Sequence, residues 1–194
     1  MTTPPDAAAL LAATHAELAR MPGILAGLVA GLDDAAWRAR PAPAEWAPVE
    51  ILCHLRDEET EDFGARVRVI AKRGKRFALI DPVRWAVERR YLEDNGPGAL
   101  AAFRERRTAS LAFLDTLKPE KLTAAAPLGR TGPLSGLDLL AAWWPTTACI
   151  PRSSRARWRA GGPDAGRRCG RNTPGRFPIR PPDAYPTDAA KILR

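Results

Sequence analysis

The chain changes character at Trp144. Residues 1–144 carry 19 Lys and Arg against 19 Asp and Glu, whereas residues 145–194 carry 11 against 3, so the whole formal charge of +8 lies in the last quarter. The same quarter concentrates Pro and Gly and loses the three-and-four spacing of apolar residues that runs through the first part. Only the first part can write a core, and 194 residues allow one domain of about 100–150 residues plus an appendage. The sequence therefore divides into a helical domain at 6–144 and an Arg/Pro/Gly-rich tail at 145–194. The tail has too little apolar pattern to offset its ordering entropy and is expected to be disordered.

Within the first part, Leu10, Leu11, Leu18, Met21, Ile24, Leu25, Leu28 and Leu32 recur at spacings of three and four, which places one apolar stripe on a helix over 6–32. Pro22 falls inside it and is expected to bend or interrupt it, since proline removes a backbone donor and crowds the preceding turn. Trp37 lies in a short turn-helix between Asp33 and Arg40. A second long helix opens at Trp46, tolerates Pro48 in its first turn, and is predicted to run unbroken to Lys72. The basic run from Lys72 to Arg76 then suits the negative end of that helix dipole. A short helix is predicted over 83–93, a third long helix after Asn95-Gly96-Pro97-Gly98, and a brief turn at 119–122. Ser135 is a natural cap for a fourth helix beginning at Gly136. Pro145 and Pro151 cannot sit in a helix interior, so this helix stops after fewer than three turns. The fold class is all-α: a four-helix bundle with its fourth helix truncated, one side of the other three left uncovered, and a basic tail appended.

No apolar run approaches the roughly 20 residues that span a bilayer, and Met1–Asp6 lacks the basic start and apolar stretch of a secretory signal. Cytoplasmic residence is the expectation. Cys53, Cys149 and Cys169 form neither an even disulfide framework nor a CxxC zinc pattern, and Cys53 falls inside a helical pattern, where it reads as a small buried hydrophobe.

Chemistry concentrates around His54, one of only two histidines. Glu50 precedes it by four residues and Glu58 follows it by four, so all three side chains stack on one helix face. Taken alone, this is a charged face whose histidine has found a hydrogen-bond partner, since one imidazole does not make a metal site. The residues around it carry a resemblance: Pro41-Ala42-Pro43-Ala44-Glu45-Trp46, then Glu50-Ile51-Leu52-Cys53-His54-Leu55 and the pair Glu58-Glu59, resemble the signature of the DinB-like superfamily of helical proteins. Tyr91, the helix holding Ala101-Ala102-Phe103, and Gly132-Pro133-Leu134 before helix four follow the same plan over residues 8–144. The resemblance implies a bundle holding a divalent metal, zinc or nickel, through three histidines. One matches His54, with Glu58 and Glu50 as weaker donors beside it; the other two form an HxxxH pair on helix four. It also implies transferase or isomerase chemistry in some relatives, with a low-molecular-weight thiol and a small-molecule electrophile as partners. Three ligands with one open position are what a catalytic metal needs to polarise a bound water or thiol.

The chain departs from that plan at the decisive place. After Trp143-Trp144 it reads Pro145-Thr146-Thr147-Ala148-Cys149-Ile150-Pro151, and no histidine follows His54. A reading-frame change at about Trp143 is the expected cause. Residues 143–150 can be encoded by TGG TGG CCC ACG ACC GCC TGC ATA, and reading that string from its third base yields Val-Ala-His-Asp-Arg-Leu-His, which contains the HxxxH motif. The arginines and prolines of the tail are then out-of-frame translation of GC-rich DNA, and the chain is expected to be metal-deficient and catalytically impaired. His15, the other histidine, has no ligand role in the resemblance and is read as a surface or partly buried residue. Two other classes compete with this reading. Nucleic acid is the less favoured partner, through Arg152 to Arg176 with Trp158 and Phe177 interleaved, because charge alone attracts phosphate whether or not selection placed it there. A helical interaction module, closed by a second copy of the chain as a homodimer, is the other.

Overall fold

The first long helix, α1 (Ala7–Val29), starts where Asp6 accepts a hydrogen bond from the Ala8 amide at 3.0 Å and so satisfies one of the end's orphan donors. The computed structural model describes residues 6–42, 45–74, 76–127 and 132–143. The expected truncation of helix four at Trp144, the tail with its arginines, Trp158 and Phe177, and Cys149 and Cys169 all lie outside the described residues.

Of the two outcomes expected from the sequence, a bend or an interruption, Pro22 does not cause the interruption of α1. Its missing N–H would leave the carbonyl of Leu18 without a helical partner, and the guanidinium of Arg107 supplies one: Nη1 donates to Leu18 O at 3.0 Å. The donor lost from the backbone is replaced by a buried side chain from another helix.

After α2 (Asp34–Arg38), capped by Asp33 accepting from the Ala36 amide at 2.8 Å, the predicted second helix is in fact two. They are α3 (Pro48–Glu61) and α4 (Phe63–Ala71), joined at Asp62 with φ −117° and ψ −102°. Gly64 makes the junction possible, because a Cβ there would stand 1.8 Å from the carbonyl oxygen of Glu59. The short helix α5 (Pro82–Glu88) and a 3₁₀ turn at Tyr91–Glu93 lead into α6 (Gly96–Asp115), whose cap Asn95 accepts from the Gly98 amide at 2.6 Å. A second 3₁₀ turn (Pro119–Thr123) precedes a two-stranded antiparallel hairpin, β1 (Ala125–Pro127) and β2 (Pro133–Ser135), that the sequence did not announce. Ser135 then caps the last described helix, α7 (136–143), by accepting from the Asp138 amide at 3.1 Å while donating to its carboxylate at 2.7 Å.

α1, α3 and α6 pack together as the body of the bundle, α4 continues α3, and α7 covers the end built by α4. The apolar interior is in two parts. One gathers Leu25, Leu28, Trp37, Trp46, Leu52, Leu55, Tyr91 and Phe103; the other gathers Leu18, Phe63, Val67, Leu114, Leu139, Leu140 and Trp143. Each fully buried leucine contributes roughly 2 kcal/mol. Along α3 and α6 the stretch between the two parts is polar yet buried: Asp57, Glu58, Glu59, Asp62, Arg107 and Ser110. Such groups are tolerated only when paired.

Candidate metal centre

His54 faces inward from the middle of α3, 3% exposed, with the Trp46 ring edge-on at 5.1 Å between centroids. Trp46 lies two residues before the first residue of α3, Pro48, and is itself buried. Glu58, one turn on, places Oε1 3.1 Å from His54 Nε2. Asp62, a further turn on and 5% exposed, continues the ladder. Burial alone would lower the His54 pKa, but the charge and hydrogen bond of Glu58, with Asp62 and Asp57 behind, outweigh it and leave it raised. Burial pushes the Asp62 carboxyl up to about 7; Glu58 adds to that effect and Arg66 and His54 oppose it. Arg66 Nε lies 2.9 Å from Asp62 Oδ1 as an ion contact without hydrogen-bond alignment.

Of the sequence-derived donors, Glu58 is brought to His54 and Glu50 is not. The Glu50 carboxylate accepts from Arg40 Nε at 2.9 Å and Arg40 Nη2 at 2.7 Å, and closes the start of α3 by accepting from the Ala47 amide at 2.9 Å. His15 stands apart, its Nε2 3.1 Å from Asp115 Oδ1 between α1 and α6. Cys53 donates its thiol to Asp94 Oδ2 at 3.2 Å, and burial pushes the thiol pKa far up, so it is no nucleophile at neutral pH. Sequence reasoning passed over Asp62, although the spacing of four that links 50, 54 and 58 continues to it.

A family model for the DinB superfamily matches residues 17–144. The chain belongs to the DinB superfamily. Its fold is also that of YfiT from Bacillus subtilis, described as "a probable metal-dependent hydrolase with an unusual four-helix bundle topology": the TM-score is 0.69 over 78% of this chain and 88% of that one, at 15% identity. No curated protein matches the chain by sequence.

The divalent metal that the DinB plan implies does not fit the residues described here. His54 brings one imidazole whose Nε2 is engaged by Glu58 and whose buried Nδ1 has no hydrogen-bond partner. Among the described residues no three His, Cys, Asp or Glu side chains stand in metal-holding geometry. The end of α7 does come to this region: Trp143 stacks on Phe63, the neighbour of Asp62, with centroids 6.1 Å apart and planes 12° from parallel. Among the described residues no helix is long and apolar enough to cross a membrane.

Proposed function

We propose that this chain is a DinB bundle with an incomplete metal centre, holding a divalent cation weakly and carrying out little catalysis. The observation that carries the reading is that its two histidines lie apart, each against a different carboxylate, His54 beside Glu58 within α3 and His15 beside Asp115 across α1 and α6. A catalytic zinc-type centre takes three protein ligands, and borderline metals favour three or four good donors over two. The description of YfiT supports metal-dependent chemistry in relatives with complete centres. The frame change at about Trp143 accounts for the loss, since the missing motif would begin where α7 reaches Phe63.

The test is calorimetric titration of the purified chain with zinc and with nickel, beside His54→Ala. Weak binding without defined stoichiometry, weaker still in His54→Ala, is the expected result. Tight one-to-one binding abolished by His54→Ala would overturn the reading.

A further inference from the structure

Cations of the described residues are mostly matched to carboxylates. Arg84 meets Glu88 at 2.7 Å, Arg106 meets Asp57 at 2.9 Å, and Arg107 meets Glu59 at 2.6 Å. Of the described cations without such a partner, three stand together. Arg73, just past the end of α4, and Lys118 and Lys121, in and beside the second 3₁₀ turn, line one cleft of about 410 Å³ with Glu120, Thr123 and Ala124. Among the described residues none of the three cations has a carboxylate within 4.0 Å, and Glu120, the single acid of the cleft, pairs with none of them.

The dipole of α4 accounts for positive charge at Lys72 and Arg73. The C-terminal end of α6 likewise suits Lys118, two residues past its cap Thr116, but neither dipole accounts for Lys121 or for the meeting of the three. Like charges gathered around a concavity raise the energy of the folded state unless a counter-charge fills it. Arg73 adds a second cost, since its backbone is left-handed at φ 55° although Gly74, which would take that conformation without strain, is the next residue.

We propose that this cleft binds a small molecule carrying a phosphate or pyrophosphate group. The guanidinium offers a planar fork to two phosphate oxygens and the two ammonium groups act as point charges on the remainder. The volume lies in the range of small-molecule sites. This site is built by Arg73, just past α4, and the 118–124 segment, not by the His54 face of α3, so it stands or falls independently of the metal reading.

The probe is inorganic pyrophosphate, titrated into the full chain by calorimetry and by amide NMR at low and high salt. Residues 145–194 carry 11 cations against 3 anions and will attract the probe too, so the comparison is between variants that share them. The expected result is binding that weakens about tenfold or more in Lys118→Glu/Lys121→Glu, with amide shifts around 118–124, and that is unchanged in Arg104→Glu, an exposed cation of α6. Circular dichroism confirms that the double variant remains helical. Equal affinity in the double variant and the parent, or no binding at millimolar pyrophosphate, would overturn the proposal.

Discussion

Arg107 is 1% exposed and does three things at once. Nη2 donates to Glu59 at 2.6 Å, Nη1 donates to the Leu18 carbonyl that Pro22 leaves without a backbone partner, and the guanidinium lies 5.0 Å from the Phe103 ring centroid. Removing one member of a buried ion pair costs about 3–5 kcal/mol, because the partner stays buried and uncompensated. Arg107→Met should show a loss of that order in urea denaturation. The proline link makes a finer prediction. In a Pro22→Ala background the Leu18 carbonyl regains a helical donor, so Arg107→Met should cost about 1 kcal/mol less there than in the parent. A coupling energy near zero would mean that the Arg107 contact to Leu18 O is incidental to the continuity of α1.

At the scale of elements, the break between α3 and α4 is the feature least visible in the sequence. Phe63, Val67 and Ile70 keep the three-and-four spacing of one continuous helix, and only the missing Cβ of Gly64, which lets its backbone approach the Glu59 carbonyl, marks where the turn at Asp62 is allowed. Gly64→Ala would stabilise an ordinary exposed helix by up to about 1 kcal/mol. Here it should destabilise by about 2–3 kcal/mol, since a methyl group at 1.8 Å from backbone oxygen must displace one helix against the other. Urea denaturation of the variant decides the sign. α1 and α6 were legible because caps and apolar stripes agree: Asp6 and Asn95 lie where the stripes begin. The β1–β2 hairpin was not, because three-residue strands holding Pro127 and Pro133 oppose strand propensity, and their pairing depends on tertiary packing. In the candidate site, spacing alone linked His54 to Glu58. It could not show that Arg40, from the preceding loop, would claim Glu50.

Across the whole molecule, stability must come from the two apolar clusters and from the ion network between elements, since the proposed reading gives metal binding no share in it. Asp57 is the node of that network: Arg56 and Arg106 donate to one oxygen at 2.8 and 2.9 Å, and Arg89 and Tyr91 to the other at 2.7 Å each, tying α3 to α5, the first 3₁₀ turn and α6. Burial alone would raise its pKa, but these donors overcome that and hold it down to about 2, whereas an unfolded aspartate titrates near 3.9. The folded carboxylate is therefore the harder one to protonate. Its contribution, on the order of 2 kcal/mol, is complete above about pH 4 and is lost as pH falls through about 2. Asp57→Asn should be less stable than the parent at neutral pH, and the gap should narrow by about 2 kcal/mol as pH falls from about 5 towards 2. A chelator supplies the complementary measurement. A metal at 100 times its Kd would add about 2.7 kcal/mol, so withdrawing one that mattered would lower the melting temperature by several degrees. For this chain the expected outcome is no shift with EDTA and a marked loss on acidification. A chelator-sensitive melt that ignores Asp57→Asn would place the stabilising charge at His54 instead of at the arginine network.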